Sequence, residues 1–339
     1  MRVLVTGATG KVGHGIAGAL LERGDEVRAL VRDPDRAAGV LPSGVEAVRG
    51  DATLPESLAA AVEGCELVFN AMGIPEQWAR DEGVFDRVNA VGSGDLARSA
   101  KAAGVRRLVH TSTFDVFHAE HGGHLDETQL ADYPKGTAYE RSKQHAEELV
   151  LAERGDGFEV VITNPCAVYG PGPSASVSFD KGMFEPLVKG RLPMLPPGGS
   201  AMVFSEGLAG GHLLAAAKGR DGERYVLSDA YTDFRDLAKL VVEVAGRGRV
   251  PPSLPLPAAR AFAALGEGVS RVIKRPPMIS KGQVYFFSWQ ARPDSSKAQT
   301  ELGWERTPLE QGIRRTLMDL GLLEQCSERG AAGGARRLG

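Results

Sequence analysis

The sequence predicts an α/β fold in which a doubly wound parallel sheet is followed by a smaller C-terminal mixed α/β region. Three observations carry this reading. Short apolar runs alternate with longer helix-like stretches through the first half of the chain. The runs are continuously apolar rather than alternating, as strands buried on both faces are. A glycine-rich turn joins the first run to the first helix. In chain order the strands are read as RVLVT, EVRALV, VEAVRG, ELVFNAMG, RRLVHTST and FEVVITNP, with helices between them. Thr53 and Glu56 in TLPE have the spacing of a capping box. TPLE, Thr307 to Glu310, repeats it with a proline at the first helical position.

After NPCAVYGPGP the alternation stops and proline and glycine become frequent. The expected division is therefore residues 1–170 as a dinucleotide-binding domain carrying the catalytic residues, and 171–324 as a mainly substrate-binding region. RYVLSD is the segment there most suited to rejoin the sheet. Residues 325–339 lack apolar periodicity and read as a flexible tail.

A chain of 339 residues, 42% hydrophobic and 24% charged, can bury a large core, and a net charge of -3 gives no broad attraction to nucleic acid or anionic lipid. A small-molecule substrate is the expected partner. Cys65, Cys166 and Cys326 are too scattered for a disulfide framework or metal site and read as packing residues in a reducing interior. The apolar start of MRVLVTGATG is too short for a signal peptide, and no run reaches the roughly 18 apolar residues of a membrane span, so a cytoplasmic location is expected.

VLVTGATGKVGHG places Gly7, Gly10 and Gly13, with Thr9, Lys11 and Val12 among them, between the first strand and first helix. Such a turn admits a pyrophosphate against free amides and the positive end of the helix. Arg32, just past the second strand, can pair with a 2′-phosphate and points to NADP(H), with Lys11 as a helper. Asp33 beside it is the competing signal for NAD(H). Asp51 and Ala52 past the third strand are candidates to flank the adenine. Asn70, Ala71 and Met72 end the fourth strand where the cofactor would cross.

Another strand ends in the hydroxyls Thr111, Ser112 and Thr113. Tyr139 and Lys143, four apart, share one helical face and can point toward that strand end. A ketone accepting hydride needs a proton donor at its oxygen, and a phenol with a pKa near 10 is a poor one at neutral pH. A nearby ammonium, with the positive charge of oxidised nicotinamide, is expected to lower that pKa. A hydroxyl of Thr113 is the candidate to hold the substrate oxygen.

With TGATGKVG, HTST, YERSK and NPCAVYGPG in place, residues 1–172 resemble the extended short-chain dehydrogenase/reductases. The resemblance implies a Rossmann-type sheet, Tyr139 as acid/base, and Lys143 as its partner and ribose ligand. Thr113 stands where a serine is usual, with Ser112 as rival. It also implies Pro165, Ala167 and Val168 along the nicotinamide, Thr111 at the cofactor, and Asn89 holding a relay water or the local backbone. A homodimer through helices near residues 84–103 and 139–153 is implied as well. Patches such as GRLPMLPPGG, RYVLSD and SSKAQTELGW look most like the dihydroflavonol-reductase-like and 3β-hydroxysteroid-dehydrogenase-like branch, implying a ketone and secondary alcohol on a largish, partly apolar molecule. Two rivals stand beside this. A sugar-nucleotide epimerase or dehydratase would use Lys189, Arg191 and Arg220 as a diphosphate clamp, and an NADP(H)-sensing regulator would bind without turnover. Trp78, Phe114, Phe117, Phe179, Met183 and Phe184 are the candidate substrate wall. His118, His121 and His124 read as a polar loop, with no metal required.

Overall fold

The computed structural model describes residues 1–173 and 178–324; the expected tail and Cys326 lie outside the described residues. Twelve strands run in chain order: β1 Arg2–Thr6, β2 Glu26–Val31, β3 Glu46–Arg49, β4 Leu67–Asn70, β5 Arg107–Thr111, β6 His124–Leu125, β7 Glu159–Pro165, β8 Ala167–Tyr169, β9 Gly199–Phe204, β10 Arg224–Leu227, β11 Ala230–Asp233 and β12 Arg292–Pro293. Seven form one parallel sheet in the order β10-β7-β5-β4-β1-β2-β3. The strand order reverses between β1 and β4, which are directly paired with Thr6 opposite Asn70. In an open α/β sheet a ligand crevice opens at the carboxyl ends of the strands at such a reversal.

The two-residue period of a strand sends Val3 and Val5 to one face and Leu4 to the other, and Phe69 and Val68 likewise. One face packs under Ile16 and Leu20 of the helix Lys11–Glu22 and Leu208 of the helix Ser205–Lys218. The other packs under Leu96 and Ala100 of the helix Gly92–Ala102 and Val150 of the helix Ala138–Ala152. Both faces are covered, so continuous apolar runs were the right signature for these strands. RYVLSD does contribute β10 at the sheet edge, beside β7. The remaining strands form a three-stranded β11-β9-β8 sheet and a small β12-β6 pair. The former packs over a separate apolar core that includes Phe184, Phe234 and Ile313.

Neither expected capping box forms. Thr53 donates its hydroxyl to Asp51 Oδ1 at 2.8 Å, so a local turn takes the group that would cap. Pro308 sits at the N-cap of the helix Leu309–Asp319, and the Thr307 amide donates to Asp229. Capping boxes occur instead at Thr137 with Glu140 and at Ser280 with Gln283. The first of these starts the helix that carries Tyr139.

Candidate active site

A cavity of about 730 Å³ opens at the strand reversal. Its floor is the glycine turn: Gly7, Thr9, Gly10, Lys11 and Val12 all border it. Gly7 has φ +68°, and a Cβ there would stand 2.4 Å from the Ala71 carbonyl oxygen. A Cβ on Gly13 would stand 2.4 Å from that of Gly7. Only glycine allows backbone and helix to close this tightly. Gly10 caps the helix Lys11–Glu22 without a side-chain hydrogen bond, and the positive end of the helix faces the turn. These residues fit a dinucleotide pyrophosphate. Lys11, expected to help at a phosphate, forms an ion pair with Asp180 at 2.6 Å and donates to the Gly170 carbonyl, so it ties the turn to the C-terminal region.

Arg32 is exposed just past β2, and the Asp33 carboxylate caps a short helix by accepting from the Arg36 amide at 3.2 Å. Asp51 accepts from the Thr53 amide, which holds its carboxyl below the usual range, with Arg32 adding to the effect. Ala52 is buried against Gly92. Arg32, Asp51 and Ala52 lie past the strand ends, outside the cavity wall.

Ala71 and Met72 border the cavity, but Asn70 does not. Its side chain is fully buried, accepting from Thr6 Oγ1 at 2.7 Å and meeting His110 Nδ1 at 3.0 Å, so it joins β1, β4 and β5 inside the sheet. Thr111 reaches the wall at the end of β5, with its hydroxyl 2.9 Å from His212 Nε2. Pro165, Ala167 and Val168 line the opposite side. Asn164 braces that side from behind, its amide donating to the Thr113 carbonyl and to Glu147.

Tyr139 and Lys143 occupy successive turns of the helix Ala138–Ala152 and both border the cavity. Lys143 is buried and donates to the Thr111 carbonyl at 3.0 Å; burial lowers its pKa to about 8. Tyr139 departs from expectation. Burial, and then the Asp115 carboxyl, raise its phenol above the ordinary range, with the Thr113 hydroxyl acting the other way. The ammonium points to a backbone carbonyl, while carboxyls stand around the phenol. Thr113 donates to Asp115 Oδ2 at 2.5 Å. Ser112 also borders the cavity, and its buried hydroxyl has no hydrogen-bond partner among the described residues.

Asn89 lies in a π-helical turn, Asp86–Val91, and is completely buried. It accepts from the Ile74 amide at 2.7 Å and donates to the Ile74 carbonyl and to Ser142 Oγ. Of its two expected roles, holding the local backbone is the one this geometry fits.

The substrate wall divides. Phe114 borders the cavity, stacked on Trp289 with ring centroids 5.6 Å apart, and Phe179 borders it with Phe286 and Phe287. Met183, Phe184 and Phe117 are buried in apolar cores, because the helical turn and strand that carry them pack inward. Trp78 lines an adjoining cavity of about 600 Å³ that shares Glu76 and Tyr139 with the first. His118 pairs with Tyr133, and among the described residues no group of three or more possible metal ligands converges. Lys189 and Arg220 pair with Glu185 and Glu301, and neither they nor Arg191 reach the cavity.

Sequence reading missed the carboxyls beside the phenol. Asp115 is buried with Oδ1 unpartnered among the described residues, and burial, then Glu140, push its carboxyl well up. Burial pushes Glu76 up to about 7. Glu140 is buried inside its capping box, 3.7 Å from Lys135. Only the spacing of Thr137 and Glu140 was a usable signal; nothing in the sequence near Asp115 or Glu76 marks their burial.

The pattern defining the NAD dependent epimerase/dehydratase family matches residues 3–228. Sterol demethylase protein B of Methylococcus capsulatus is 31% identical over 89% of this chain and 93% of its own. A 4-hydroxy-2-methyl-3-oxo-4-farnesyl-3,4-dihydroquinoline-1-oxide ketoreductase of Stigmatella aurantiaca is 31% identical over 92% of this chain and 95% of its own. Among solved structures, gox2253 superposes with a TM-score of 0.77 at 26% identity, covering 95% of this chain and 99% of that one. MoeE5, solved with UDP-glucose and NAD, shares the fold with a TM-score of 0.74 at 22% identity, over 95% and 99% of the two chains. The family match spans the whole seven-stranded sheet, and the chain accordingly belongs to the NAD dependent epimerase/dehydratase family, as an extended short-chain dehydrogenase/reductase and an NAD(P)-dependent oxidoreductase.

Proposed function

We propose that the protein interconverts a ketone and a secondary alcohol on a largish, partly apolar substrate, using NADP(H). The observation that carries this is one cavity bordered at once by the glycine turn, by Thr113, Tyr139 and Lys143, and by the aromatic wall of Phe114, Phe179, Phe286 and Phe287. A bound reduced nicotinamide supplies the hydride. Tyr139 gives its proton to the substrate oxygen; burial keeps the phenol protonated but also makes it a weaker acid, which the positive charge of the oxidised nicotinamide formed in the reaction would offset. Thr113 orients that oxygen once its hydroxyl, which donates to Asp115 in this structure, turns to the substrate. Lys143 braces the strand end at Thr111 and stands ready for the ribose.

Relatives named as a ketoreductase and as a 3 beta-hydroxysteroid dehydrogenase/Delta 5-->4-isomerase support the apolar substrate class. The exposed Arg32 and the engaged Asp33 support NADP(H) over NAD(H). The test is a panel of hydroxysteroids, other apolar ketones and nucleotide sugars, followed at the reduced-nicotinamide absorbance with NADPH and NADH in parallel. Oxidation of NADPH by an apolar ketone is expected. In Arg32→Ser the preference for NADPH over NADH should fall about tenfold, since one charge-assisted phosphate contact is lost. Isomerisation of a nucleotide sugar without absorbance change would overturn the reading.

A further inference from the structure

The helix Leu256–Ile273 turns its apolar side outward. At 100° per residue, Ala259, Ala263 and Ser270 share one face, and these three are buried against the protein. A second, outward side carries Phe262, Leu265, Val269 and Val272 at spacing i, i+3, i+7 and i+10, all of them exposed. Ile273, the last residue of the helix, and Met278, past its end, add to the exposed apolar surface. Leu265, Val272 and Met278 are 72%, 79% and 86% exposed. Lone exposed apolar side chains are ordinary, but six along one helix and its exit mark an interaction surface.

Its surroundings state the kind of partner. Between residues 256 and 281 the charged side chains are Arg260, Arg271, Lys274, Arg275, Lys281 and a single acid, Glu267. The overall charge of -3 conceals this local excess of cations. An outward apolar stripe with basic residues beside it fits a helix lying in the plane of a bilayer interface, where apolar groups sink below the headgroups and cations meet anionic lipid. No helix among the described residues is long and apolar enough to cross a membrane, so the association would be with the surface.

We propose that the outward face of the helix Leu256–Ile273, with Met278, docks on an anionic lipid bilayer. Its position suits such a role. Glu267 and Arg271 on the flank of the helix border the 600 Å³ cavity that also holds Glu76 and Tyr139. A docked helix therefore holds this cavity close to the membrane, the phase in which an apolar substrate collects. This last consequence rests on the function proposed above; the docking itself does not.

Co-sedimentation of the full chain with vesicles tests the docking without any turnover. Vesicles of mixed phosphatidylglycerol and phosphatidylcholine are expected to carry the protein down, and pure phosphatidylcholine vesicles to carry much less. The double substitution Leu265→Glu with Val272→Glu should weaken binding at least about tenfold. Lys274→Gln and Arg275→Gln should weaken it about fivefold each, as should added salt together. All four side chains are exposed, so unchanged thermal melting is the control that the variants fold. Failure to sediment with the mixed vesicles, or equal sedimentation of the Leu265→Glu, Val272→Glu variant, overturns the proposal. So does a mass by light scattering that falls from dimer to monomer on those two substitutions, which would assign the face to a second copy of the chain.

Discussion

The helices Ala138–Ala152 and Leu256–Ile273 invert the usual rule in opposite ways. The first turns Glu140, Lys143 and Glu147 inward and buries all three; the second turns Leu265, Val269 and Val272 outward and exposes them. In the first, each buried charge meets a partner. Glu147 accepts from Arg224 at 2.6 Å and from Asn164, Lys143 donates to the Thr111 carbonyl, and Glu140 accepts from the Thr137 amide. Such an interior is stable only while complete, since a buried charge that loses its partner keeps the cost of its desolvation. In the second, the apolar face is largely uncovered by its own chain, so it contributes little to folding and is available for association. Buried charge thus surrounds the candidate catalytic group, and exposed apolar surface forms the face proposed to dock.

Substitutions can break or sharpen this contrast. The largest effect is expected from Tyr139→Phe, which removes one proton and little else. Turnover should fall about a thousandfold with nucleotide affinity preserved, measured by steady-state rates beside fluorescence titration with NADPH. Retained activity would remove the phenol from the reaction. Glu147→Ala should follow, at a cost of about 3 kcal/mol in denaturant unfolding, because Arg224 and Asn164 lose a common acceptor. A change below about 0.5 kcal/mol would show that the inward charges are not interdependent.

Glu76 stands between the two helices, bordering both cavities. Burial raises its carboxyl from an ordinary 4.5 to about 7. A pKa raised on folding means that the folded state holds the proton more tightly, so this contribution to stability is present at low pH and is lost as pH rises from about 4.5 to 7. Glu76→Gln, uncharged and of the same shape, should therefore raise the melting temperature by a few degrees near pH 8 and by less near pH 5. An equal rise at both would contradict the assigned shift. The smallest effect belongs to the outward face. Leu265→Ala should change unfolding free energy by no more than about 0.5 kcal/mol, against the 2 to 5 kcal/mol typical of a core leucine. A core-sized loss would mean the face is covered in solution.

Much of the fold and part of the site could be read before any coordinates. Apolar runs such as RVLVT and ELVFN announced strands buried on both faces because a parallel sheet covered by helices requires them. Gly7, Gly10 and Gly13 announced the turn, and at Gly7 and Gly13 no other residue tolerates the closeness found there. Tyr139 and Lys143 were placed together by helical period alone. Asn70, expected at the cofactor, has its side chain engaged with Thr6 and His110, a contact across three strands distant in sequence that no local pattern shows. Met183 and Phe184 look like substrate aromatics and aliphatics until their helical turn is seen to pack inward.

What the sequence determined by itself was therefore local and periodic: strand and helix type, the glycine turn, the pairing of Tyr139 with Lys143 along one face. Only the tertiary structure decided that burial, with Asp115, Glu76 and Glu140 nearby, raises the pKa of the phenol, and that Leu265 and Val272 face solvent. The physical reason is the same in each case. A side chain's periodicity depends on its neighbours in the chain, but its burial, and with it the energy of its charge or its apolar surface, depends on what the fold sets opposite it.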